Sequence, residues 1–219
     1  MAFYPHLVIP VLVSLGLTWL IDKHLKKFFF VFVFLYPVVS YSDENLASSK
    51  VFVEKLGKQV VEKVSNTEIT ELERYNNFKK LYLSSFDNYY ISRFVLGRYW
   101  KTIDKGIQKK FVDSFNNYIV ATYAPKFKGW EGTFKAVESL FENNYYNVKM
   151  DILNKDGPTL KMMWKMYLNK NKEFKILDVN IDGVSMLVTQ RAEFLSVIKN
   201  HPNGVNGLID AMNKKTDGS

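Results

Sequence analysis

Cysteine is absent from all 219 residues. Without a thiol the chain has no disulfide framework, no thiolate zinc site and no cysteine nucleophile. Histidine is nearly absent as well: His6 and His24 lie near the N-terminus, and His201 stands beside Pro202 in a turn-forming stretch. One loop histidine cannot assemble a Ser-His-Asp arrangement with its orienting partner, nor can it hold zinc. The glycines are scattered, so there is no phosphate-binding loop and no dinucleotide fingerprint. Internal repeats and low-complexity runs are lacking too. Neither a metal nor a cofactor is expected.

What the chain has in excess is apolar bulk, with 47% hydrophobic and 16% aromatic residues. That composition argues against disorder, and the length suits one domain with its own core. A formal charge of +8 favours anionic partners of any kind. The lysines are spread among Asp and Glu, and the best aromatic stripe sits on apolar helix faces, so nucleic acid is not expected among those partners.

Two apolar runs open the chain, Leu7 to Ile21 and Phe28 to Val39, with the basic patch Lys23, His24, Lys26 and Lys27 between them. Basic residues, a short apolar core and small residues at Ser40 and Ser42 read as a cleavable signal over residues 23–42, leaving Asp43 as the mature N-terminus. The second run holds twelve residues, short against the roughly 20 that a membrane span needs. Residues 1–22 are either an over-long start or an extra apolar segment that pairs with the second run as a membrane hairpin. A tethered form therefore stays open beside export. The expected layout is a leader over 1–42, one domain over 43–214 and a frayed tail over 215–219.

The domain begins with helices. Leu46, Val53, Leu56, Val60 and Val64 form one apolar face that ends near Ser65. Ser65 and Glu68 have the spacing of a capping box, with Ile69 and Leu72 opening the next stripe. Tyr90, Ile91, Phe94 and Val95 mark a third helix stopping at Gly97. Ile107, Phe111, Phe115, Ile119 and Tyr123 mark a fourth, ended by Pro125. The period then falls to two. Tyr146 to Ile152, Leu160 to Leu168 and Phe174 to Val179 read as three strands of an antiparallel meander, joined by turns at Asp156-Gly157-Pro158 and Asn169 to Lys172. Asp182-Gly183 turns the chain into a helix carrying Ala192, Phe194, Leu195 and Ile198. After His201-Pro202-Asn203-Gly204 a last helix carries Leu208, Ile209 and Met212. Helices, a sheet and closing helices make an α+β plan.

Acid–base chemistry would have to come from carboxylates: Asp178 and Asp182, or Glu131, Glu138 and Glu142 after the main helix. A hydrolytic pair needs two of them converging in a cleft. The plainer reading puts Asp178 at a strand edge and Asp182 in the turn with Gly183. The apolar surplus also admits two readings. Tyr99 and Tyr123 with Phe94, Trp100, Phe111, Phe115 and Ile119 from helices, and Met150, Met162, Trp164, Met166 and Val179 from strands, can form a close-packed core. Flexible thioethers on a long aromatic sheet face equally suit the lining of a cavity.

Two blocks carry a family resemblance. FVLGRYWKTIDKGIQKKFVDSFNNYIVATYAPKF runs from Phe94 to Phe127, and DVNIDGVSM from Asp178 to Met186 leads into a helix of the QRxEF kind. In order and spacing they resemble the MlaC, or toluene-tolerance, family of periplasmic phospholipid-binding proteins of the bacterial lipid-asymmetry pathway, over roughly Asp43 to Lys214. The resemblance implies a curved antiparallel NTF2-like sheet covered by helices, an added helical portion and an apolar lipid cavity. It implies a carrier, not an enzyme, that shuttles phospholipid between inner- and outer-membrane complexes and so maintains outer-membrane lipid asymmetry. Its partners would be the lipid, an inner-membrane ABC transporter complex with its substrate-binding ring, and an outer-membrane lipoprotein–porin complex. Phe94, Trp100, Phe111, Phe115, Ile119, Met150, Met162, Trp164, Met166 and Val179 are then expected to line the cavity, with Arg98, Lys101 and Lys105 near its mouth. Two other readings stand beside this one: an NTF2-like α+β enzyme acting on a small apolar substrate through Asp178 or a tyrosine, and a solid-cored envelope assembly protein without lipid.

Overall fold

A computed structural model describes residues 43–217 except 156; the expected leader lies outside the described residues. Helix α1 spans Asp43–Lys63 and buries Val53, Leu56 and Val60, with Val64 just past its end, as the apolar spacing requires. The capping box lies five residues beyond the expected one. Helix α2, Glu71–Ser85, is capped by Thr70, whose hydroxyl accepts from Glu73 N–H at 3.2 Å while Thr70 N–H donates to Glu73 Oε2 at 2.9 Å. Both Ser65 and Thr70 satisfy the motif, and the linker decides between them. Asn66 Oδ1 accepts from Glu68 N–H in a local turn. The fully buried Arg74 then ties the linker down, donating to the carbonyls of Val64 and Asn66 and to Glu71. Leu72, expected in an apolar stripe, is 70% exposed as a result.

Helix α3, Asn88–Leu96, stops at Gly97, whose positive φ of 53° lets its N–H close on the carbonyls of Arg93 and Phe94. A 3-10 turn over Gly97–Lys101 leads to α4, Lys105–Tyr123, capped by Asp104. A second 3-10 turn, Ala124–Phe127, carries Pro125 at its start and ends the helical half.

The sheet has five strands in the order β1-β2-β3-β4-β5, all neighbours antiparallel: β1 Thr133–Glu142, β2 Tyr145–Leu153, β3 Leu160–Leu168, β4 Phe174–Ile181 and the short β5 Val184–Ser185. Sequence reading found β2, β3 and β4 and missed β1. A bulge between Ala136 and Glu138 breaks the alternation of β1, and its outer side chains Val137, Leu140 and Phe141 are apolar although exposed. The overlooked signal is Asn143-Asn144, both at positive φ, which closes the β1–β2 hairpin. At the bulge, Ala136 N–H is taken up by Glu54 Oε1 of α1 at 2.9 Å. Glu138 pairs with Lys149 across the strands and Glu131 with Lys155, so these carboxylates are surface ion partners.

Helix α5, Met186–Asn200, follows directly on β5, and α6, Gly204–Asp217, continues into the stretch expected to fray. Two large apolar clusters result, with a small third of Tyr82, Val120 and Ala124 beside them, and Phe86 packs against all three. One is helical: Phe111 and Phe115 of α4 meet Phe194 of α5 edge-on at 6.2 and 5.6 Å, surrounded by Val95, Leu96, Ile198, Leu208 and Met212. The other joins α1 to the sheet through Val53, Leu56, Val60, Val148, Met150, Met166 and Ile176. The opposite face of the sheet carries exposed Lys149 and Lys161.

Candidate functional site

Between the two clusters the side chains do not close up. They leave a cavity of about 270 Å³. The α1–α2 side supplies Leu56, Val60, Phe78, Leu81 and Tyr82; α3 and α4 supply Ile91, Val95, Phe115, Ile119 and Tyr123; the sheet supplies Phe134, Ile152, Met162, Trp164, Leu177, Val179 and Ile181; Met186, Leu187 and Gln190 of α5 complete it. Leu56, Val60 and Trp164 belong to the sheet cluster and Ile91, Val95, Phe115 and Leu187 to the helical one. The hollow is thus the seam along which the two large cores face each other, with Phe86 packed against both.

Backbone irregularity builds this wall. Lys165 pairs with Asp178 and Met166 with Ile176, so Leu177 is an extra residue on β4. That bulge allows Leu177, Asp178 and Val179 all to line the cavity, which a regular strand forbids because its side chains alternate. Glycine matters once: a Cβ on Gly57 of α1 would stand 2.4 Å from the Phe134 ring, so the missing side chain lets β1 press its ring into the cavity wall.

Five of the ten expected cavity residues are on this lining: Phe115, Ile119, Met162, Trp164 and Val179. The other five pack elsewhere. Trp100 and Phe111 are buried inside the helical cluster, Met150 and Met166 inside the sheet cluster. Phe94 lies against the helical cluster, stacked on Tyr90 at 6.2 Å with the Arg191 guanidinium 4.9 Å from its ring. Arg98, Lys101 and Lys105 are exposed on the helical half and none lines the cavity. Among the residues that sequence reasoning missed, Phe78 lies mid-way along α2, whose apolar stripe is weak, while Phe86, Phe127 and Phe134 come from element ends and from β1, where no period points to them.

Polar atoms are few on the lining. Asp178 accepts from Ser185 Oγ at 2.6 Å and from Leu187 N–H at 3.0 Å, and Ser185 Oγ in turn caps α5 through Val188 N–H at 3.0 Å. The carboxylate therefore holds the β4–β5–α5 corner together. Gln190 donates to Glu193 at 3.2 Å. Burial pushes the phenols of Tyr82 and Tyr123 above the usual tyrosine range, so both stay neutral. No Lys, Arg or His among the described residues lines the cavity. Among the described residues no group of three or more His, Cys, Asp or Glu could hold a metal ion, and no helix is long and apolar enough to cross a membrane. The arrangement can enclose hydrocarbon, and among the described residues the one carboxylate on its lining is Asp178.

The model of the MlaC protein family matches residues 54–214, from within α1 to within α6, a span that takes in every residue lining the cavity. The chain belongs to the MlaC family. A curated relative in that family, the intermembrane phospholipid transport system binding protein MlaC of Haemophilus influenzae, is 28% identical over 124 residues. The match covers 54% of this chain and 56% of that protein, so the chain spans little more than half the length of the relative. Among solved structures, a phospholipid-binding protein from Ralstonia solanacearum, determined in complex with a phospholipid, superposes with a TM-score of 0.64 at 17% identity. The superposition covers 77% of this chain and 97% of that one, and it shows the MlaC-like α+β fold in both.

Proposed function

We propose that the chain is a periplasmic phospholipid carrier that buries acyl chains non-covalently between its helical and sheet cores. In this reading it shuttles lipid between an inner-membrane ABC transporter complex, with its substrate-binding ring, and an outer-membrane lipoprotein–porin complex, and so maintains lipid asymmetry. The observation that carries the reading is the apolar seam between two cores. Family membership supports it, as do phospholipid transport by the system of the Haemophilus protein and phospholipid binding by the Ralstonia protein.

The energetics agree with a carrier. At about 0.8 kcal/mol per buried methylene, two acyl chains represent about 20 kcal/mol of gross transfer free energy. A lipid therefore crosses water only inside an apolar shell. The cavity volume of about 270 Å³ is small beside the roughly 300–1,000 Å³ of ordinary ligand sites. Room for two chains needs the walls to part along this seam, where Phe86 packs against both large clusters. A ligand that fills the hollow supplies the dispersion contacts that its lining otherwise lacks.

Native mass spectrometry of the protein purified from a bacterial envelope tests the reading. About one equivalent of diacyl phospholipid is expected, and protein that reaches the detector without lipid and takes up none from vesicles overturns it. The enzyme reading rests on Asp178 in the lining, but both carboxylate oxygens are already held by Ser185 and Leu187.

A further inference from the structure

Trp164 is 8% exposed and lines the cavity from the middle of β3, with Phe86 6.4 Å away between it and Tyr82 of α2. Its indole Nε1–H is buried and has no hydrogen-bond partner among the described residues. Five buried side-chain polar atoms share that condition, and the other four, on Asn88, Ser92, Asn116 and Thr122, belong to residues that do not line the cavity. Trp130, by contrast, donates its indole N–H to Asn154 at 3.1 Å. An orphaned donor in an apolar interior costs about 1–3 kcal/mol, so a buried one beside a ligand cavity calls for an acceptor that arrives with the ligand.

The acceptor can be identified by what surrounds it. A phosphate would enter a lining that offers no cation and one carboxylate, Asp178, the neighbour of Val179, which pairs with Trp164 across the strands. Hydrocarbon offers no lone pair. A neutral carbonyl satisfies both limits: it accepts strongly and brings no charge into a low-dielectric wall. Diacyl glycerolipids carry such carbonyls where the chains join the glycerol. We infer that Trp164 Nε1–H donates a hydrogen bond to an ester carbonyl of the bound lipid. The bond sets how far the chains sink and makes the protein prefer ester-linked over ether-linked lipid.

This inference rests on the carrier reading, and the experiment separates the two. Purified full-length protein is delipidated and offered vesicles of diester phosphatidylglycerol or its diether analogue of equal chain length, which lacks the carbonyls. One hydrogen bond corresponds to a preference of about three- to tenfold for the diester in the wild type. Trp164→Phe keeps an aromatic ring on β3, and its ratio of diester to diether binding should fall to about one. In parallel, ¹⁵N-indole NMR, assigned by loss of one resonance in Trp164→Phe, should show the Nε1–H proton moving downfield on loading with diester but not with diether. Equal binding of the two lipids by wild-type protein, or a preference that survives Trp164→Phe, overturns the inference and leaves the carrier intact. Failure to bind either lipid overturns the carrier reading itself. If the variant folds poorly, the Trp164 indole is assigned in wild-type protein by its NOEs to the neighbouring Phe86 ring, and the same diester-against-diether comparison answers the question.

Discussion

Phe111 and Phe115 sit one turn apart on α4, stacked 5.8 Å apart and both essentially inaccessible to solvent, yet they face different regions of the molecule. Phe111 is surrounded by the helical cluster on all sides. Phe115 belongs to the same cluster and also lines the hollow. The sheet repeats the contrast: Met150 and Met166 are sealed under α1, while Met162, on the same strand face, opens on the cavity. One apolar stripe thus serves two purposes, and burial alone does not tell them apart. What distinguishes them is whether the opposing surface is another side chain or a gap.

The sharpest way to break the comparison is Phe111→Ala. Truncating a packed aromatic should cost about 3–5 kcal/mol in a denaturant titration, while the fraction that stays folded keeps its lipid. Loss of lipid with little change in stability would move Phe111 to the cavity side. Next in size is the ligand itself. Phospholipid at about a hundredfold excess over its Kd should raise unfolding stability by about 2.7 kcal/mol, read from calorimetry with and without lipid. Trp164→Glu, which puts a charge on the cavity wall, should abolish that gain in the fraction that stays folded, whereas Phe111→Ala should keep it. A folded Trp164→Glu fraction that still gains the full stabilisation from lipid would make Trp164 an ordinary core residue.

Smaller effects test the scaffold that holds the seam. Thr70→Ala removes the observed capping box and should cost about 1 kcal/mol, whereas Ser65→Ala, at the box expected from sequence, should cost less in the same chemical denaturation series. The smallest concerns Tyr167, whose hydroxyl donates to Asp87 at 2.6 Å and whose pKa is pushed up to about 12, chiefly by that bond. A raised folded-state pKa contributes stability that is complete below the ordinary tyrosine value near 10 and is lost as pH rises through about 12. Denaturation midpoints should fall across that window in the wild type and stay flatter in Tyr167→Phe.

Much of the fold was legible along the chain. The helices that became α1 and α4, the strands from Tyr146 to Val179 and the stop at Gly97 each follow from a period or a backbone requirement confined to a few neighbouring residues. The misses were also local in origin. β1 hid behind a bulge and exposed apolar side chains, and two equally good capping motifs stood five residues apart until Arg74 fixed the linker.

The cavity was less legible, because half of the expected residues turned out to be solid core. Apolar periodicity determined that α4 and the sheet would each bury one face, and the two motif blocks pointed to the family before any coordinates. Sequence period records only which side of an element avoids water. Whether that side meets a neighbour depends on where two elements come to rest, and here the extra residue at Leu177, the bare backbone at Gly57 and the separation of two cores decided it. Those distances are set across the molecule, between residues as far apart in the chain as Leu56 and Gln190, and only the tertiary structure contains them.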